Sequence, residues 1–159
     1  MSLLSSILRV KEGDFVSGNV LLLSIHPEYA EKIFNGTKEV ELRRICPRRI
    51  NKGDSVLVYV SSPLKALVGG FEVDEIIEAL PEMLWENVKH KAGISRSQFD
   101  DYYSGTSLAY GIFLRDTWKL EQPITLDTLR DRWPNFKPPQ GYHYISNDDV
   151  SLLTGSCGI

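Results

Sequence analysis

Around Gly36 the hydrophobic period of the chain changes from that of a helix to that of a strand, and this switch constrains the fold more than any other feature. Upstream, Tyr29, Ala30, Ile33 and Phe34 recur at helical spacing. They follow Pro27, whose fixed φ suits a first helical turn, and Glu28, an acid favoured at the positive end of a helix. The spacing predicts a helix over 27–35, stopped by a glycine that can take the left-handed conformation. From Lys38 the period is two, so Val40 and Leu42 face a core while Glu39, Glu41 and Arg43 share the opposite face. The apolar run 19–25 ahead of Pro27 is too short for a helix and predicts a buried strand.

Further strands are expected over 55–60, apolar on both faces after the Asn51-Lys52-Gly53-Asp54 turn, and over 65–77. Gly69-Gly70 in the middle of the latter marks a bulge, a sharp bend or a close approach to the backbone. Pro81 opens a helix with Leu84, Trp85 and Val88 on one face, and Ser95 with Gln98 forms a capping box for a second helix ending at Gly105. A strand over 108–120, a short capped helix over 125–133 and a closing strand over 142–145 follow. Helices clustered between short strands predict an α+β fold, a small mixed β-barrel of about five or six strands with flanking helices, rather than a doubly wound sheet. The 159 residues fit one domain able to bury roughly two thirds of its unfolded surface. Its expected boundaries are an N-terminal arm over 1–18, the domain over 19–146 and a C-terminal tail over 147–159.

A formal charge of -3 excludes the broad positive footprint of a non-specific nucleic-acid binder, so any such contact must be local. Two cysteines, Cys46 and Cys157, with no C-x-x-C spacing, point to a reducing cytoplasm and to neither a disulfide framework nor a zinc site. His26, His90 and His143 have no ligand partner at helical spacing, so no metal is expected. Gly69-Gly70 lacks the Gly-Lys-Ser/Thr ending of a phosphate loop, no G-x-S-x-G elbow is present, and no cofactor is expected. No apolar stretch approaches the ~18 residues of a membrane span, and no membrane partner is expected.

Charge concentrates in one segment. Gly36, Lys38, Glu41 and Arg43 stand at a G-x-K-x-x-E-x-R spacing on the helix-to-strand junction. Lys38 in a partly desolvated position is a ligand contact, a base of lowered pKa, or a turn lysine held by Glu41. Glu41 either accepts from an exocyclic base amine or pairs structurally with Arg43. Arg43, Arg44, Arg48, Arg49 and Lys52 then fall within ten residues, either a clamp for phosphate oxygens or a solvated loop. Tyr142 and Tyr144, following the rigid loop Lys137-Pro138-Pro139-Gln140-Gly141, are the candidates for stacking on bases.

The order of Ser24-Ile25-His26-Pro27, the octapeptide from Gly36 to Arg43, Tyr59-Val60-Ser61-Ser62-Pro63 and Val68-Gly69-Gly70-Phe71 resembles the ASCH domain, a branch of the PUA-like fold, over about Val20 to Ile145. The resemblance implies a pseudo-barrel with a cleft beside the helix, into which the lysine, glutamate and arginine project. It also implies an RNA-binding or RNA-associated module. A bacterial subgroup deacetylates N4-acetylcytidine with a lysine, a threonine and a glutamate. Lys38 matches that lysine, Glu41 stands in place of the threonine, and the position near Ala92 or Gly93 offers no counterpart to the glutamate. The expectation is therefore a module that binds RNA or a nucleotide-like ligand through Lys38, Glu41 and Arg43, with Arg44, Arg48 and Arg49 on phosphates. The alternatives are a nucleoside amidohydrolase with Lys38 and Glu41 catalytic, and a protein-interaction domain that the motif only braces.

Overall fold

The computed structural model describes residues 19–154, so the arm expected over 1–18 lies outside the described residues. Strand β1 (Asn19–Ile25) runs into helix α1 (Pro27–Phe34) through His26, whose extended backbone (ψ 146°) ends the strand while Pro27 begins the helix. Gly36 stops α1 at a φ of +87°, and β2 (Val40–Arg43) follows. Next come β3 (Ser55–Val60), β4 (Ala66–Ala79), α2 (Pro81–Val88) and α3 (Arg96–Tyr103). The capping box at Ser95 and Gln98 forms on α3 as its residues predict. The chain closes with β5 (Ala109–Thr125), α4 (Leu126–Arg132) capped by Thr125, β6 (Tyr142–Ser146) and α5 (Asn147–Thr154). Among the described residues no helix is long and apolar enough to cross a membrane.

The six strands make one mixed sheet in the order β2-β5-β4-β3-β1-β6, with β1 parallel to β3 and the other pairs antiparallel. Alternation within β1 and β3 feeds two cores. Leu21, Leu23, Val56 and Val58 join Ile33 and Phe71 on one face; Leu22, Leu57 and Tyr59 join Leu129 and Ile145 on the other. Both faces are covered, which is why these strands read as continuous apolar runs. A third cluster sets Leu84, Val88, Phe99 and Tyr103 of α2 and α3 against Val40 and Leu42 of β2.

The glycine pair bends the sheet. Pairing shifts register on both sides of it, and a Cβ on Gly69 or Gly70 would overlap the carbonyl oxygen of Trp118 or of Val56 respectively. Curvature does not become closure, and here the barrel expectation is corrected: β2 and β6 remain edges of an open sheet. The physical reason is that no ladder joins them. The β2 edge is instead tied off by side chains: the Leu42 amide donates to Glu41 Oε1, its carbonyl accepts from the Tyr102 hydroxyl, and Arg43 Nη2 donates to the Ser24 carbonyl of β1.

Residues 147–154, expected in a tail, form α5, whose Val150 and Leu153 are buried in the second core. Strand β5 runs past Leu120 to Thr125 despite the exposed Glu121-Gln122-Pro123, because Ile124 and Thr125 pair with Leu67 and Ala66 of β4.

Candidate functional site

The curl that brings β2 toward the end of β1 leaves a cleft of about 210 Å³ between β1, α1, β2 and α3. Lys38, just past the Gly36 stop, and Glu41 and Arg43, two apart on one face of β2, all line it. Their charges form a row. Lys38 Nζ lies 3.9 Å from Glu41 Oε1, and Glu41 Oε2 lies 3.4 Å from Arg43 Nη2. Lys38 is 3% exposed and Glu41 6%. The row is thus largely desolvated, while one side of it still meets the cleft.

The loop after α2 supplies what holds Lys38. Glu39 N donates to Lys91 O at 2.7 Å, which draws that loop over the start of β2. Lys38 Nζ then donates to Ala92 O at 3.2 Å and Lys32 Nζ to Gly93 O at 2.6 Å. Gly93 has a φ of +68°, and a Cβ there would press on Lys38 Cβ at 3.2 Å, so glycine is what lets the loop sit this close. Burial pushes the Lys38 ammonium below its ordinary pKa; Glu41 opposes that shift, and Arg43 and Lys32 add to it. A low-pKa lysine held beside a carboxylate can act as a hydrogen-bond donor or exchange a proton.

The cleft walls are aromatic. The Lys38 ammonium lies 5.5 Å from the Tyr29 ring centroid, and Tyr102 of α3 stands in the same cleft with the Arg44 guanidinium 4.5 Å over its ring. Gln98 and Gln140 bring exposed amides to the mouth, and His26 brings an exposed imidazole. At about 210 Å³ the cleft is below the roughly 300 Å³ of the smallest drug-sized sites, so it suits one flat group rather than a folded ligand. Among the described residues no group of three His, Cys, Asp or Glu side chains stands close enough to hold a metal ion.

Of the residues singled out from sequence, Lys38, Glu41 and Arg43 are brought together, and Arg44 joins them through Tyr102. Arg48 and Arg49 stand exposed on the loop after β2, outside the cleft lining. Tyr142 packs against the first core, and the Tyr144 hydroxyl accepts from the Arg49 amide at 3.0 Å, so Tyr144 props the arginine loop and neither tyrosine lines the cleft. Tyr29, Ser24, His26, Gln98 and Gln140 were not anticipated as lining residues. Tyr29 has the helical spacing of a core residue, and nothing local distinguishes Gln98 from a cap or Gln140 from a loop residue. No segment near Ala92 brings a carboxylate: Lys89 to Ser95 holds none, and backbone carbonyls meet the lysines there.

A family model described as ASCH domain matches residues 23–127. A protein of Zymomonas mobilis named an ASCH domain-containing ribonuclease is 31% identical over 132 residues, which cover 83% of this chain and 88% of that one. The crystal structure of ASCH from Zymomonas mobilis superposes with a TM-score of 0.79 at 30% identity, covering 85% of this chain and 93% of that chain. The N-terminal domain of Staphylothermus marinus McrB, at 14% identity and a TM-score of 0.56 over 87% of this chain and 94% of that chain, shares the fold alone.

Proposed function

This chain belongs to the ASCH domain family, and on that premise we propose that its cleft holds one nucleotide of single-stranded RNA. The observation that carries the reading is the buried Lys38–Glu41–Arg43 row in a one-base cleft walled by Tyr29 and Tyr102. Single-stranded RNA is read by stacking on aromatic rings together with hydrogen bonds to base edges, and the walls and the row offer those two elements side by side. Glu41 accepts from an exocyclic amine, Lys38 donates to a ring carbonyl or nitrogen, and Arg44, Arg48 and Arg49 meet phosphates outside the cleft. Anisotropy of a fluorescent single-stranded RNA titrated with protein tests this. Glu41→Gln and Tyr102→Ala should each weaken binding at least fivefold, and unchanged affinity in both overturns the reading.

A second reading, RNA cleavage, is favoured by the lowered pKa of Lys38 and by the name carried by the Zymomonas mobilis relative. In such a step Lys38 takes the proton of a ribose 2′-hydroxyl as that oxygen bonds to the adjacent phosphorus. Arg43 balances charge on the phosphate, and the 5′-oxygen leaves with a proton from solvent or from His26 at the cleft rim. The product is a 2′,3′-cyclic phosphate. Incubation with a labelled RNA in EDTA decides it: cleavage that vanishes in Lys38→Met establishes the reading, and intact RNA removes it while leaving binding in place.

A further inference from the structure

A second groove of about 370 Å³ lies beyond the strap formed by Pro138, Pro139 and Gln140. The strap is pinned to β1: Ser24 Oγ donates to Pro139 O at 2.5 Å and Ser24 N donates to Gly141 O at 3.1 Å. Ser24, His26 and Gln140 line both the cleft and the groove, so the two are adjacent compartments meeting at these residues.

Hydroxyls and an ammonium line the groove. Tyr59 lines the groove, so its phenol is among the polar groups that a ligand there can meet. Ser61 and Ser62 add hydroxyls from the turn after β3, and Lys65 adds an ammonium that enters no ion pair among the described residues. Lys65 also holds a φ of +53°, a conformation uncommon outside glycine, even though its side chain is exposed. No carboxylate lines the groove. Leu126, Pro138 and Pro139 form the apolar remainder of the lining. Donors and cations on one side with apolar walls on the other fit a sugar-phosphate rather than a second charged protein side chain.

We propose that this groove is a second nucleotide subsite, taking the ribose-phosphate next to the nucleotide in the cleft, with the chain crossing between them at His26. The proposal rests on the reading of the cleft as an RNA site. It gives the protein a minimum ligand of two nucleotides and assigns Tyr59 and Lys65 to phosphate recognition.

Calorimetry with 2′-fluoro mononucleotides and dinucleotides, which cannot be cleaved through a 2′-hydroxyl, tests it on three proteins. The wild type should bind the dinucleotide at least tenfold more tightly than the mononucleotide. Tyr59→Phe keeps the ring and removes only the hydroxyl; Lys65→Gly removes the ammonium at a φ that glycine adopts freely, so both should fold. Each should reduce the dinucleotide advantage several-fold while leaving mononucleotide affinity within twofold. A wild-type ratio near one, or an advantage untouched in both variants, overturns the subsite and leaves the cleft reading standing. Absence of binding by the wild type at either length overturns both.

Discussion

Lys38 is the residue on which most of the site's chemistry turns, because its surroundings disfavour the charge that its partner Glu41 favours. Its folded pKa is lowered, with desolvation the largest cause. The unfolded chain therefore binds more protons than the folded one between the lowered value and the ordinary lysine value near 10.4. Stability contributed at this position accordingly rises with pH through that window, the reverse of a lysine stabilised by its partner. Comparing thermal unfolding of the wild type with Lys38→Met from pH 7 to 10 checks the sign: the difference should move in favour of the wild type as pH rises. A difference that is flat or falls with pH means that Glu41 outweighs burial. Glu41 has the opposite role. It is the only carboxylate in the row, facing Lys38 on one oxygen and Arg43 on the other. Glu41→Gln leaves two cations without their counter-charge in a desolvated place, and a loss of about 2 kcal/mol is expected, or roughly 4–8 °C in Tm. If that loss is accompanied by unchanged RNA affinity, the row is a brace and the cleft reads its ligand through other groups.

Elements specified by their own residues were legible, and those specified by distant partners were not. Helix α1, the period switch at Gly36, the capping box on α3 and the strand alternation of β2 all follow from neighbours within a few positions, where propensity and period act. Helix α5 was missed because its polar first turn, Asp148 and Asp149, masks Val150 and Leu153, which become helical by docking on the second core. Barrel closure was overread because curvature is written in one strand, at Gly69-Gly70, whereas closure needs a ladder between two edges that no single strand encodes. The glycines themselves offer a sharp test. At both positions an added carbon would strike backbone: for Gly69 the Lys119 Cα stands at 2.9 Å, and for Gly70 the Val56 carbonyl oxygen is in the way, with the Trp118 ring at 2.7 Å besides. Either Gly→Ala change should cost about 3 kcal/mol in denaturant unfolding, since two strands must separate. Gly36 meets nothing within 4 Å, so Gly36→Ala should cost only about 1 kcal/mol, from its φ of +87°. Losses at Gly69 and Gly70 no larger than at Gly36 would mean that the strands yield to the added carbon and that space does not set the glycine requirement at the bend.

For the molecule as a whole, the site's charged row was legible from sequence while its walls were not. Lys38, Glu41 and Arg43 lie within six residues of one another, but Ala92, Gln98, Tyr102 and Gln140 reach them from 50 to 100 residues away through the packing of α3 and the strap. The same assembly concentrates the arginines of the loop after β2 at one end of a chain whose formal charge is -3. A molecule with that balance gains little from long-range attraction, so its affinity for RNA must come from a few direct phosphate contacts and from stacking. With two or three phosphates neutralised, log K should fall against log salt with a slope of about -1.4 to -2.1, or roughly tenfold between 50 and 200 mM. Arg48 and Arg49 are both exposed and enter no ion pair among the described residues, so Arg48→Ala combined with Arg49→Ala should leave Tm nearly unchanged. The pair should weaken RNA binding several-fold at 50 mM and flatten the slope by about one or more. Arg115→Ala is the matched control: its guanidinium is already engaged by Glu72 and Asp74 on the β4–β5 ladder, away from the cleft, and its removal should leave both affinity and slope unchanged. If the double variant behaves like that control, the arginine loop is solvated surface, and the phosphate contacts belong to the cleft and the groove beyond the strap.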